Sequence, residues 1–208
     1  MKLHVLPVGP IQANCYIQCD GQEKKSAVID PGGEGAKVAR AVKGADCEAV
    51  AIFLTHGHYD HTGGVEELQE LWPEVPVYIN KRDQHEDSRF WQLCPPLKGT
   101  KSYAEGDCQE VGSRKVEVLA TPGHSGGSVT LKCENCLFTG DTLFAGSCGR
   151  TDFPDGSMTT ILASLKRLGE LEGDWNVFPG HMENSTLERE RRYNPYLRQA
   201  MGSKGYFG

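Results

Sequence analysis

The sequence predicts an α/β fold of two packed, mixed β-sheets with helices on their outer faces, an αββα sandwich. Three observations carry this expectation. The N-terminal half alternates short apolar runs with helical periods. The stretch from about 111 to 139 runs strand after strand. Strands in both halves end at polar turns that carry histidine, aspartate and glycine. A single doubly wound parallel sheet would keep the alternation throughout and would not give the second pattern.

The elements follow in order. Cys15–Ile17 and Ala27–Ile29 are apolar runs bounded by polar punctuation and read as strands. A helical period spans Gly35–Val42. Ala51–Leu54 is a continuous apolar strand, followed by a polar turn and a helical period over Gly63–Leu71. Val116–Leu119, Ser128–Leu131 and Cys136–Phe138 come next as strands, then a helix over Thr159–Leu168 and a last strand at Trp175–Phe178. The segment Arg82–Gly106 breaks this rhythm. It is charged and contains Pro95-Pro96, yet it includes Phe90, Trp91, Leu93 and Leu97. It reads as a helix and a long loop over a core edge, a surface insertion, with a cover over a site as the other reading. With no repeats and no low-complexity linker, residues 1–208 read as one domain.

Composition narrows the function classes. With its 25 glycines counted, the apolar set falls in the globular range of roughly 45–50%, so a real core can form. Lys plus Arg number 22 and Asp plus Glu 28, a net charge of −6. That balance gives no electrostatic case for nucleic acid or an anionic membrane as partner. No apolar run approaches the ~18 residues of a membrane helix, and the start, Met1–Pro7, is too short and polar for a signal peptide. A cytoplasmic protein acting on a small molecule is the expectation. The eight cysteines (Cys15, Cys19, Cys47, Cys94, Cys108, Cys133, Cys136, Cys148) are scattered, and without an export signal reduced thiols are expected. Cys133-Glu-Asn-Cys136 alone has CxxC spacing. It lacks the second pair of a zinc ribbon, so Glu134-Asn135 reads as a hairpin turn between structural thiols.

The histidines point to chemistry. Residues 55–61 read Thr-His-Gly-His-Tyr-Asp-His, placing His56, His58, Asp60 and His61 in one turn after an apolar strand. Imidazoles crowded at neutral pH and a carboxylate in need of a partner are both satisfied by a divalent cation. Gly57 lets the backbone turn tightly so that alternate side chains converge. Three later strands end in the same way: Thr121-Pro-Gly-His124, Phe138-Thr-Gly-Asp141 and Phe178-Pro-Gly-His181. Together these turns supply seven metal-capable side chains. His4 and His85 lack this context and carry no assigned role.

The run His56-Gly-His58-Tyr-Asp60-His61, followed in order by His124, Asp141 and His181, resembles the signature of the metallo-β-lactamase superfamily over about residues 14–196. The resemblance implies that family's αββα fold. It implies one metal held by His56, His58 and His124, and a second held by Asp60, His61 and His181. Asp141 bridges the two, which makes Asp60 and Asp141 the catalytic carboxylates. Two such divalent ions, zinc first with iron or manganese also suited, share a hydroxide at neutral pH and polarise a carbonyl. Hydrolysis of an activated acyl or ester bond is the implied reaction.

Within the superfamily, the aspartate at 141 and the stretch Phe138–Phe144 are similar to hydroxyacylglutathione hydrolases (glyoxalase II) more than to β-lactamases. Ser147-Cys-Gly-Arg150 stands where that family has Gly-Cys-Gly-Lys. The resemblance therefore implies that Arg150 binds the carboxylate of a glutathione thioester. Two departures stand beside it: Asp152 occupies the place of a family tyrosine, and a long helical C-terminal region is replaced by a short tail after His181. Cys148–Phe153 also resembles the loop of persulfide dioxygenases, which implies instead one iron held by His56, His124 and Asp141. A hydrolase of another ester or lactone is a further alternative. A non-catalytic metal binder is disfavoured by the complete ligand set.

Overall fold

In the computed structural model of the chain, which describes residues 2–84 and 92–202, the continuous apolar runs become strands covered on both faces. One sheet contains β1 (Lys2–Val8), β2 (Ala13–Asp20), β3 (Lys25–Ile29), β4 (Glu48–Phe53), β5 (Val77–Ile79) and β6 (Thr100–Ser102), side by side in chain order. Its first three strands pair antiparallel, and β3 to β6 run parallel. The other sheet is built from β7 (Cys108–Val111), β8 (Arg114–Ala120), β9 (Val129–Cys133), β10 (Cys136–Gly140), β13 (Asn176–Pro179) and β14 (Ser185–Thr186), while β11 (Leu143–Phe144) and β12 (Ser147–Cys148) form a small hairpin. The spatial order there is β14-β13-β10-β9-β8-β7. Only β10 and β13 pair in parallel. The helices are α1 (Gly35–Gly44), α2 (Tyr59–Thr62), α3 (Val65–Leu71), α4 (Met158–Gly169), α5 (Leu187–Tyr193) and α6 (Pro195–Ala200).

The period-2 alternation of each strand sorts side chains into three apolar layers. Between the sheets lie Tyr16, Phe53, Tyr103, Val118, Leu131 and Phe138. On the back of the first sheet, Ile17, Ile52 and Leu54 pack with Val38 and Val42 of α1 and Leu68 of α3. On the back of the second, Leu119, Leu137 and Val177 meet Leu165 and Leu168 of α4, Leu187 of α5 and Leu197 of α6. Thus Phe138 faces the centre while its neighbour Leu137 faces the helices. Burial on both faces explains why these strands read as unbroken apolar runs. The architecture is the αββα sandwich. Among the described residues no helix is long and apolar enough to cross a membrane.

The segment 82–106 departs from the surface insertion expected of it. Asp83, Cys94 and Tyr103 are buried, and β6 completes the edge of the first sheet. Phe90 and Trp91, within the segment expected to be a helix and a long loop, lie outside the described residues. Cys133 and Cys136 stand opposite each other across the β9–β10 hairpin, both buried, with Glu134 in the left-handed region at φ 53°.

Candidate metal centre

β8, β10 and β13 run in one direction within their sheet, so their C-terminal ends share an edge. That edge meets the C-terminal end of β4 from the other sheet. His56 and His58 follow β4, Asp60 and His61 sit on the single turn of α2, and His124, Asp141 and His181 follow β8, β10 and β13. All seven predicted side chains are brought together. Six are buried and His181 is partly exposed.

They fall into two trios. His58 Nδ1 faces His124 Nε2 at 2.8 Å, and with His56 their ligand atoms lie within 4.8 Å of one another. In the second trio His61 Nε2 and His181 Nε2 are 3.4 Å apart, and Asp60 Oδ2 is 3.1 Å from His181 Nε2. Asp141 spans both: its Oδ1 lies 3.4 Å from His61 Nε2 and its Oδ2 lies 3.4 Å from His124 Nε2. His56 Nε2 and Asp141 Oδ1 are buried with no hydrogen-bond partner. A buried polar atom left unpaired costs about 1–3 kcal/mol, and a cation is the partner that suits converging lone pairs. The donor set fits two divalent metals.

Electrostatics divides the cluster. Burial, then His61 and His58 beside it, holds His56 well below the ordinary imidazole range. Burial and then His124 lower His58 to about 3, so both rings are neutral at pH 7. At His61 burial works downward too, but Asp141 and Asp30 outweigh it and hold the ring well above its usual value. Burial would raise Asp141 and Asp60. The adjacent His61 outweighs it at Asp141, and hydrogen bonds with His181 and His61 outweigh it at Asp60, so both stay lowered.

Two buried aspartates, Asp30 and Asp83, lie beside this cluster, and no local pattern in the sequence marks either. Asp30, just after β3, accepts hydrogen bonds from Thr55 N at 2.7 Å and Thr55 Oγ1 at 2.6 Å, and lies 3.0 Å from His61 Nδ1. His61 is thereby turned so that Nε2 faces the cluster. Because the Thr55 hydroxyl donates to Asp30, its oxygen accepts from His56 Nδ1 at 3.1 Å, which leaves the lone pair on His56 Nε2. His124 Nδ1 donates to the Arg150 carbonyl at 2.8 Å with the same result. Asp83 accepts from Gly57 N, Ser125 Oγ and Gly127 N at 2.8, 2.7 and 2.6 Å.

Two glycines matter for space. Gly57 is not in the left-handed region; a Cβ there would instead stand 2.6 Å from the Asp83 carbonyl oxygen. At Gly180 a Cβ would lie 2.3 Å from Asp141 Oδ1 and 2.5 Å from His61 Cε1. Gly180→Ala is therefore expected to push Asp141 and His61 apart, at a cost of about 1–3 kcal/mol of overpacking. Metal counting by mass spectrometry beside a melting curve checks it; a variant with wild-type metal content and melting temperature would contradict the close approach.

At the rim, the Phe153 ring packs on His58 and His124 with centroids 4.8 and 5.6 Å away. The Arg150 guanidinium lies 4.5 Å from the Phe153 ring centroid. It is exposed and forms a two-pronged ion pair with Asp152, Nε donating to Oδ1 at 2.6 Å.

The profile of the metallo-beta-lactamase superfamily matches residues 8–181. The chain belongs to this family. Full-length relatives include the probable metallo-hydrolase YqgX of Bacillus subtilis, 35% identical with 95% of this chain and 98% of that protein covered. The hydroxyacylglutathione hydrolase GloC of Haemophilus influenzae is 32% identical, with coverage of 95% and 98%. Among solved metallo-β-lactamase folds, the BLEG-1 B3 metallo-beta-lactamase superposes with a TM-score of 0.85 at 31% identity, covering 94% of this chain and 99% of that one. TTHA1623 in a di-iron-bound form gives 0.80 at 35% identity (93% and 99%). ETHE1 from Myxococcus xanthus gives 0.82 at 25% identity (100% and 93%). Metallo-β-lactamase superfamily membership and the gathered histidines and aspartates make this a protein of the metallohydrolase type.

Proposed function

We propose that the chain is a thioester hydrolase of the hydroxyacylglutathione type that works with two divalent cations, zinc in first place and iron or manganese also suited. The observation that carries this reading is Asp141, which stands between the trios: its Oδ1 lies 3.4 Å from His61, and its Oδ2 lies 3.4 Å from His124 and 3.6 Å from His181. Two cations in those trios would supply hydroxide at neutral pH and polarise the thioester carbonyl. The chain's own residues do the rest. His56, His58 and His124 would hold one cation and Asp60, His61 and His181 the other, with Asp141 placed between the two trios. Asp30 keeps His61 aimed inward, and Phe153 packs edge-on against His58 and His124. The leaving thiol has a pKa near 8.5, so a thiolate departs without a protein acid. The likeness to GloC supports the substrate class.

The test is hydrolysis of S-lactoylglutathione by protein reconstituted with metal and counted for metal. Turnover that vanishes with a chelator and returns with metal is expected; a two-metal preparation that leaves the thioester intact would overturn the assignment.

Arg150 stands at the rim to take a glutathione carboxylate. Its guanidinium is exposed and shared with Asp152, which keeps its contribution small. Arg150→Ala should raise KM for the thioester by roughly fivefold and leave kcat almost unchanged. Steady-state kinetics decides, and an unaltered KM would leave Arg150 as a surface ion pair.

A second reading, a mononuclear iron persulfide dioxygenase, draws on one observation: the Cys148–Phe153 loop that resembles those enzymes carries Phe153, which lies against two of the histidines. Oxygen uptake with glutathione persulfide at turnover rates, without thioester hydrolysis, would favour it.

A further inference from the structure

We infer that Asp83 is a positioning residue that sets the geometry of the first metal trio, His56, His58 and His124, without acting on the second. The inference rests on the two-metal reading of the site.

Asp83 follows β5 in the first sheet, and its side chain crosses to the second. There it takes the Ser125 hydroxyl, next to His124, and the Gly127 amide; on its own side it takes the amide of Gly57, the residue between His56 and His58. The His56–His58 turn and the His124 turn belong to different sheets, and no short stretch of chain joins them. Yet His58 Nδ1 and His124 Nε2 stand only 2.8 Å apart. Asp83 grips both turns.

Its chemistry suits the task. All three incoming groups are donors, and an ionised carboxylate accepts from all of them without presenting a hydrogen of its own. An asparagine would turn its NH2 toward one of these donors. The fit is close: a Cβ on Gly127 would stand 2.3 Å from Asp83 Oδ1, so that glycine admits the carboxylate. Among the described residues, none of the hydrogen bonds of Asp83 reaches Asp60, His61 or His181. Those belong to the territory of Asp30, which lies against His61. Asp83 is itself buried at 3% exposure, so the contacts are not diluted by water.

The test is a zinc titration of apo-protein in competition with a chromophoric chelator, read as two dissociation constants. His58→Ala and His181→Ala assign each constant to its trio. Loss of a residue that orients metal ligands typically costs 10–100-fold in affinity. Asp83→Ala, and Asp83→Asn should the alanine variant not fold, are expected to weaken the first-trio constant by that factor and leave the second unchanged. The cobalt-substituted protein should show altered absorption bands for the same trio only. Unchanged constants, a parallel loss at both trios, or a loss at the second alone would overturn the inference. Wild-type protein that binds fewer than two metals would instead count against the two-metal reading itself.

Discussion

Asp141→Asn is expected to lower thioester hydrolysis by roughly 10²–10⁴-fold. The substitution keeps the shape of the side chain but removes its charge and turns an NH2 toward either His61 or His124, each now 3.4 Å from a carboxylate oxygen. Breaking a buried charged pair by removing one partner costs about 3–5 kcal/mol, which sets that range if the loss falls on the transition state. Because Asp141 spans both trios, metal content should fall along with kcat. Side-by-side metal analysis and steady-state assays check this, and a variant that hydrolyses like wild type would remove Asp141 from the mechanism.

The second large effect separates the two enzymatic readings. The double substitution Asp60→Ala with His181→Ala strips the second trio down to His61 and leaves His56, His58, His124 and Asp141 in place. For a two-metal hydrolase one cation should be lost, and kcat should drop by about 10²-fold or more, since a cation's contribution to catalysis is worth several kcal/mol. A mononuclear dioxygenase would keep its iron and part of its oxygen uptake. Metals per chain and an oxygen electrode read the outcome together. Retention of full hydrolysis by the double variant would contradict a role for Asp60 and His181 in the reaction.

The residues that were legible in the sequence are those whose signal is local. His56, His58, Asp60 and His61 crowd one turn, and His124, Asp141 and His181 each follow an apolar run and a glycine, so strand ends and ligands could be read together. Strands buried on both faces, such as β4 and β10, announce themselves as apolar runs. The edge strands do not: β1 alternates exposed and half-buried residues and carries Pro7, and β6 is Thr-Lys-Ser. α5 reads Leu-Glu-Arg-Glu-Arg-Arg-Tyr and buries only Leu187 and Glu190, too little apolar surface for a periodic pattern. The start of α6 did leave a trace, Asn194-Pro195, in which the Asn194 side chain accepts from the amides of Tyr196 and Leu197. Asp30 and Asp83 were invisible for another reason. Each is a lone aspartate more than twenty residues from the groups it orients, and only the folded chain brings it to His61 or to Gly57. Gly57 was read as a turn former, but what its missing side chain provides is room for the backbone of Asp83.

The two trios draw their side chains from both sheets, His56, His58, Asp60 and His61 from one and His124, Asp141 and His181 from the other. A cation held there would act as a rivet through the seam, because any motion that parts the sheets would first have to release it. Ligand binding of this kind adds RT ln(1 + [L]/Kd) to stability, about 4 kcal/mol when free metal exceeds Kd a thousandfold. The survival of the folded chain would thereby be tied to cation supply. In a metal-starved cell the population that loses activity is also the one that opens most often and meets proteases first, so a shortage of cofactor would be felt as a shortage of protein.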